Sequence, residues 1–181
     1  MKRSLSVPVL LAFVMIAFAC QPTPSGLTDA QKAAIADSAK TVAKDVARGI
    51  QNLDGAAVLA RYSSAPDARF IENGFVYDSY GAFKDSLYAD FATFDSLSPQ
   101  IDALDVVVLG ADAAAATEAF HFTGKTKDGE YVDGQGVVSI VVQLRAGRWQ
   151  IVQSHESELP IAESDTVLAP SPAGQKAGKK M

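Results

Sequence analysis

The second half of the chain contains four long segments in which apolar and polar residues alternate, and a turn with a glycine separates each from the next. The segments cover residues 101–109, 114–123, 131–144 and 149–157. Consecutive alternating segments joined by short turns predict a meander of antiparallel strands. Such a sheet must bury one face, so the rest of the chain has to supply a covering layer.

The first half of the chain supplies helices for that layer. Thr28, followed by Gln31, is a capping-box signal at the start of a long helix. The helix carries an apolar stripe with three- and four-residue spacing, made of Ile35, Ala39, Val42, Val46, Ile50 and Leu53. Asp54 can cap a second, short helix that ends near Tyr62, and Asp78 or Ser79 can cap a third. One face of the third helix carries Phe83, Leu87, Phe91 and Phe94.

A two-residue hairpin signal lies between the second and third helices. Asn73 and Gly74 separate two short apolar segments, and both residue types tolerate the positive φ that such a turn requires. The sequence therefore predicts an α+β fold, in which about three N-terminal helices pack on one curved antiparallel sheet.

Two stretches of the chain resemble a known superfamily. Residues 62–87 contain Ala-Arg-Phe-Ile-Glu-Asn-Gly and Ser-Tyr-Gly-Ala-Phe, and residues 145–157 read Arg-Ala-Gly-Arg-Trp-Gln-Ile-Val-Gln-Ser-His-Glu-Ser. Together with the order of elements, they resemble the nuclear transport factor 2-like superfamily, which includes ketosteroid isomerase, scytalone dehydratase and the SnoaL-like polyketide cyclases. The resemblance implies a cone-shaped fold that encloses a pocket. It does not imply one chemistry, because the scaffold hosts isomerases, dehydratases, binding proteins and dimerisation modules.

Composition at both ends indicates how the chain is organised. Residues 1–19 have a positive start and a short apolar run, as in a signal peptide. Residues 20–26 form a proline-stiffened tether, residues 27–159 the folded domain, and residues 160–181 a disordered tail.

Cys20 is the only cysteine and directly follows Ala17-Phe18-Ala19, which resembles a bacterial lipobox. We therefore predict that Cys20 is lipidated and anchors the protein to a membrane through its acyl chains. The alternative is an ordinary cleavage site followed by a free thiol. Gln21 in the next position favours, by resemblance to lipoprotein sorting rules, the outer membrane and its periplasmic side.

The charge of the chain argues against a nucleic-acid partner. Removal of residues 1–19 deletes Lys2 and Arg3 and no acidic residue, which changes the net charge from −5 to −7. Nucleic-acid binding requires clustered lysine and arginine. The sequence also has no phosphate-binding glycine loop and no cysteine or histidine cluster with metal spacing, so it indicates neither a cofactor nor a metal.

His155 is the strongest candidate for contact with a ligand. Strict alternation along the last strand would place it on one face with Trp149, Ile151, Gln153 and Ser157. Imidazole titrates near neutral pH and can bond a polar ligand or move a proton. The alternative is a structural histidine at the rim of the sheet.

Other candidates depend on the register of the strands. Tyr62 and Tyr77 could project their phenols into the mouth of a pocket or simply pack their rings. Phe120 would line the pocket, and His121, its neighbour, would then face outward. Glu118 would be a possible base if buried, but a solvated position at the strand edge is the favoured interpretation. Asp133 precedes Gly134 and is interpreted as turn chemistry.

Three functions remain open at this point. The first is binding of a small apolar molecule in an aromatic-lined pocket, with His155 and a tyrosine holding its polar end. The second is a cofactor-free isomerase, dehydratase or cyclase that uses general acid–base catalysis, whose catalytic residues the sequence does not identify. The third is a homodimerisation module that uses Val137, Val141 and Val152 on the outer face of the sheet.

Overall fold

The computed structural model describes residues 26–159. The elements, in chain order, are α1 (Asp29–Gln51), α2 (Gly55–Leu59), β1 (Arg69–Glu72), β2 (Phe75–Val76), α3 (Tyr80–Thr93), β3 (Phe94–Gly110), β4 (Ala113–Thr126), β5 (Tyr131–Arg145) and β6 (Arg148–Leu159). The predicted signal peptide, the lipidation site at Cys20, most of the tether and the tail lie outside the described residues. Between residues 26 and 159, no helix is both long enough and apolar enough to cross a membrane.

Helix α1 begins at the predicted capping box. The Thr28 hydroxyl accepts from the Gln31 backbone N–H, and the Gln31 side chain accepts in return from the Thr28 N–H. Its predicted stripe faces the sheet, with Ile35, Ala39 and Val42 buried. The Asp54 and Ser79 side chains each accept from the backbone N–H three residues on, which confirms the predicted starts of α2 and α3. Phe94, predicted on the face of the third helix, instead begins β3, because α3 ends at Thr93.

All six strands form one sheet in the order β2-β1-β6-β5-β4-β3. The last four strands form the predicted antiparallel meander, and helices cover one face of the curved sheet. Strand β1 pairs with β6 in parallel, so the sheet is mixed rather than purely antiparallel. The predicted α+β architecture is confirmed, with this parallel pair as an addition.

Strand β3 is longer than predicted and begins at Phe94 rather than at residue 101. Pro99 lies within it, and proline is tolerated there because β3 is an edge strand, which pairs only with β4 among the described strands. Irregular pairing interrupts the β3–β4 ladder at three places. Such bulges bend a strand, and here they accompany the curvature that opens a space under the helices.

Candidate functional site

A cavity of about 500 Å³ lies between the helices and the concave face of the sheet. Its walls are mostly apolar: α1 and α2 contribute aliphatic residues, α3 contributes Phe83, Leu87 and Phe91, and β4 contributes Phe120 and Phe122. Pockets of this size with apolar walls and a few polar groups are typical of small-molecule sites.

An aromatic cluster forms one end of the cavity. The Tyr62 ring lies 5.3 Å from that of Phe70 and 4.8 Å from that of Phe83, measured between ring centroids. Tyr62 is held there because its backbone forms an isolated parallel bridge with Ile151 of β6, where the Ser63 N–H donates to the Ile151 carbonyl at 2.8 Å. Burial raises the pKa of Tyr62, so its phenol stays protonated and can donate a hydrogen bond.

Three glutamates lie in one row across the concave face. Glu72 of β1 is paired with Glu156 of β6, Glu156 with Val138 of β5, and Val138 with Glu118 of β4. Residues directly opposite on neighbouring strands project to the same side of a sheet. All three glutamates accordingly line the cavity.

Two of these carboxyls titrate near neutrality. Burial raises the pKa of Glu118 to about 7. Burial, followed by the negative charge of Glu72, raises the pKa of Glu156 to about 8. The expectation that Glu118 is solvated at a strand edge is therefore wrong, because β4 is an interior strand and turns Glu118 toward the helices.

Tyr77 holds the third glutamate of the row. Its hydroxyl donates to the Glu72 carboxylate and lies 3.0 Å from the Ser86 hydroxyl of α3. Burial and this bond raise the pKa of Tyr77 to about 12. The Tyr77 side chain is buried and lies behind Glu72, so it contacts the site through that carboxylate rather than as part of the cavity wall.

His155 lies on the opposite face of the sheet from the cavity. Ile151 pairs with Val142 and Gln153 pairs with the preceding Val141, which leaves Val152 as an unpaired bulge residue. The predicted single face from Trp149 to Ser157 is therefore wrong. Beyond the bulge the even-numbered residues face inward, and His155 is exposed.

The remaining predicted residues divide between the cavity and the rest of the fold. Phe120 lines the cavity. Trp149 is half-buried and packs against the core without reaching the cavity wall. His121 is exposed, as expected, with its Nδ1 2.8 Å from an Asp102 carboxylate oxygen. Asp133 is exposed within β5 rather than in a turn.

The acidic groups are what sequence reasoning missed. Glu72, Asp90, Glu156 and Glu158 all line the cavity together with Glu118. The sequence does show that Glu156 and Glu158 alternate with His155, so they lie on the face of β6 opposite to His155. It does not show which of the two faces is turned toward the cavity, because that depends on the bulge at Val152.

The cavity wall has no basic side chain among residues 26–159. Over the same residues, no three histidine, cysteine, aspartate or glutamate side chains are arranged so that they could hold a metal ion. The site can therefore offer hydrogen-bond donors from protonated carboxyls and Tyr62, acceptors from ionised carboxyls, and an apolar volume.

Several solved structures share this fold. A nuclear transport factor 2 (NTF2-like) superfamily protein from Salmonella enterica is 20% identical with a TM-score of 0.65, over 74% of this chain and 99% of that one. A proposed scytalone dehydratase from Novosphingobium aromaticivorans is 14% identical with a TM-score of 0.66, over 83% and 100%. A proposed dehydratase of the NTF2-like family from Streptomyces avermitilis is 14% identical with a TM-score of 0.63, over 71% and 99%.

These identities are low, so the structural likeness shows the fold alone. No curated protein sequence matches the chain. The model of the SnoaL-like domain family matches residues 39–162, which is more than half of the chain. The protein therefore belongs to the SnoaL-like domain family.

Proposed function

We propose that the domain binds a small, mainly apolar molecule in the cavity between its helices and its sheet. The observation that carries this proposal is the cavity of about 500 Å³ with aromatic walls. A space of that size is large enough for a small organic molecule, and burying apolar surface contributes roughly 25 cal/mol per Å². Tyr62 and the row of glutamates would hold the polar end of the ligand.

Binding is tested with Nile red, a neutral dye that fluoresces in apolar surroundings. Ala47 of α1 lines the cavity, whereas Ala33 of the same helix is exposed. We expect saturable binding to the unaltered protein and to Ala33→Phe, and a loss of at least about tenfold in affinity for Ala47→Phe. Equal binding by both variants, or no saturable binding at all, would contradict the proposal, provided circular dichroism shows that Ala47→Phe is folded.

A second candidate is a cofactor-free enzyme that works by general acid–base catalysis. It is favoured by the positions of Glu118 and Glu156 in one cavity, with pKa values of about 7 and about 8. Catalytic acids and bases work best with pKa values near the working pH, and two of the similar structures are proposed dehydratases. The test incubates the protein with a compound that binds. If the unaltered protein converts the compound and Glu118→Gln and Glu156→Gln do not, the enzyme is supported. If the compound is recovered unchanged, the protein only binds it.

We also propose that the protein is exported and anchored through Cys20 to the outer membrane, facing the periplasm. The support is the signal-peptide pattern of residues 1–19 followed by the only cysteine of the chain. Metabolic labelling with palmitate should mark the unaltered protein and leave Cys20→Ser unmarked. A mature form of the unaltered protein that carries no label would rule out the anchor.

A further inference from the structure

Between residues 26 and 159, no basic side chain lines the cavity to balance its acidic groups. Five carboxyls line the cavity, and they come from four elements: Glu72 of β1, Asp90 of α3, Glu118 of β4, and Glu156 and Glu158 of β6. The other elements that contact the cavity, α1, α2, β3 and β5, present only apolar side chains to it. The neutral groups of Tyr62 and Asn73 complete the polar lining.

The two deeper carboxyls also have no hydrogen-bond partner among the described residues. Glu118 has burial as the only influence on its pKa, and Glu156 is influenced by burial and by neighbouring acids, with no donor to either. Between residues 26 and 159, no fully buried side-chain oxygen or nitrogen lacks a hydrogen-bond partner, so the carboxyl oxygens of Glu118 and Glu156 face the open space of the cavity. Carboxyls that face a cavity without a protein donor are positioned to bind a group that the cavity receives.

The aromatic rings around these carboxyls suit the same kind of group. Phe83, Phe91, Phe120 and Phe122 line the cavity beside the acidic row, together with Tyr62. The face of an aromatic ring attracts an organic cation, and the attraction is larger where water is excluded. Carboxyls and ring faces together favour a cation with apolar substituents over a neutral or anionic molecule of the same size.

We propose that the ligand of this cavity is an organic amine, whose protonated nitrogen lies among Glu72, Glu118 and Glu156 while its apolar part contacts the phenylalanines. This inference rests on the proposed binding function and narrows it to one chemical class. A carboxylate or phosphate ligand would meet five acids and no base. A bare divalent ion is disfavoured, because among residues 26–159 no three acidic side chains converge closely enough to coordinate one.

Protonation of the glutamates in the row removes their negative charge and so weakens the binding of a cation. As the pH falls from about 8 toward about 5, Glu156 and then Glu118 take up protons and lose the charge that would attract the amine. Asp90 and Glu158, which also line the cavity, act in the same direction, because partial burial raises the pKa of each. Affinity for an amine should therefore decrease with decreasing pH.

The test compares decylamine, 1-decanol and decanoate, which have the same alkyl chain and differ in the charge of the head group. Each competes with Nile red for the full-length protein at about pH 8, where the amine is protonated and the Glu156 carboxyl titrates. The variants are Glu118→Gln/Glu156→Gln and, as a control, Glu130→Gln. Glu130 is exposed between β4 and β5 and does not line the cavity.

We expect the unaltered protein and Glu130→Gln to bind the amine roughly tenfold or more tightly than the alcohol, a difference of at least about 1.4 kcal/mol. The double variant should lose this preference and keep its affinity for the alcohol. Equal affinity for amine and alcohol in the unaltered protein would overturn the inference and leave the proposed binding function standing. If neither compound nor the dye binds, both proposals are wrong.

Discussion

The hydroxyl of Tyr77 connects β1 to α3, because it donates to Glu72 and lies within hydrogen-bond distance of Ser86. With a pKa of about 12, the phenol keeps its proton across the physiological range. The ring also packs against Phe83, with 5.4 Å between ring centroids. Tyr77 therefore fixes a carboxylate of the cavity wall from behind.

We predict that Tyr77→Phe destabilises the fold by about 1–2 kcal/mol, because Glu72 loses its donor while the aromatic packing is retained. Urea unfolding at neutral pH measures this change. Tyr131→Phe is the matched control, since Tyr131 is 84% exposed and its hydroxyl has no hydrogen-bond partner among residues 26–159. Equal effects of the two substitutions would show that the Tyr77–Glu72 bond adds nothing to stability.

At this scale the alternation along β4 predicted that Phe120 faces the cavity, where it lies, and left Tyr62 open between the cavity and ring packing, whereas the side chains of β6 were assigned to the wrong faces. Val152 has no partner on β5, and this one extra residue reverses the alternation beyond it. As a result Glu156 faces the helices and His155 faces away. A bulge depends on contacts with a neighbouring strand, so the local pattern of apolar residues does not reveal it.

Among the elements, the β1–β2 hairpin shows how local chemistry fixes structure. Asn73 and Gly74 have φ values of 48° and 83°, as a two-residue turn requires. The Asn73 side chain then accepts from the Glu158 N–H at 2.7 Å and ties the hairpin to β6. The turn therefore determines where Glu72 sits beside the last strand.

Two glycine substitutions should have opposite effects on stability. Gly74→Ala is expected to destabilise by about 1 kcal/mol, because a Cβ at positive φ is strained, although no atom lies within 4 Å of it. Gly81→Ala in α3 is expected to stabilise by up to about 1 kcal/mol, since alanine favours the helix and its Cβ would make only an ordinary 3.6 Å contact. Thermal unfolding of both variants measures this, and a loss of stability in Gly81→Ala would contradict it.

The helices and the hairpin could be predicted because their signals are local: caps, spacing and turn residues. The parallel pairing of β1 with β6 could not be predicted in the same way. Glu72 and Glu156 are distant in sequence, and nothing near either residue specifies the other as its partner. The acidic row therefore becomes visible only in the folded sheet.

At the scale of the whole molecule, the fold buries carboxyl groups whose pKa values it raises. The free energy of unfolding therefore depends on pH. The unfolded chain ionises its glutamates near pH 4.5, whereas Glu118 and Glu156 in the fold keep their protons until about pH 7 and about pH 8. Between these limits unfolding releases protons. Their contribution to stability is fully present below about pH 4.5 and is lost as the pH rises through the folded values.

We predict that the free energy of unfolding decreases between about pH 5 and about pH 8, because each of these two carboxyls lowers it by up to about 1.4 kcal/mol for every pH unit below its folded pKa. Glu118→Gln/Glu156→Gln should be more stable than the unaltered protein at the upper limit and close to it at the lower limit. Urea unfolding across the range gives both curves. Parallel curves would mean that neither carboxyl differs between the folded and unfolded states.

The position of β6 between β1 and β5 also has a consequence for how the chain matures. Strands β3, β4 and β5 can pair with one another early in folding, because short turns connect them. The β1–β2 hairpin, although earlier in the chain, has no place to dock until the last strand has joined the sheet. Deleting β6 would therefore not shorten the sheet by one strand but divide it into two unconnected pieces.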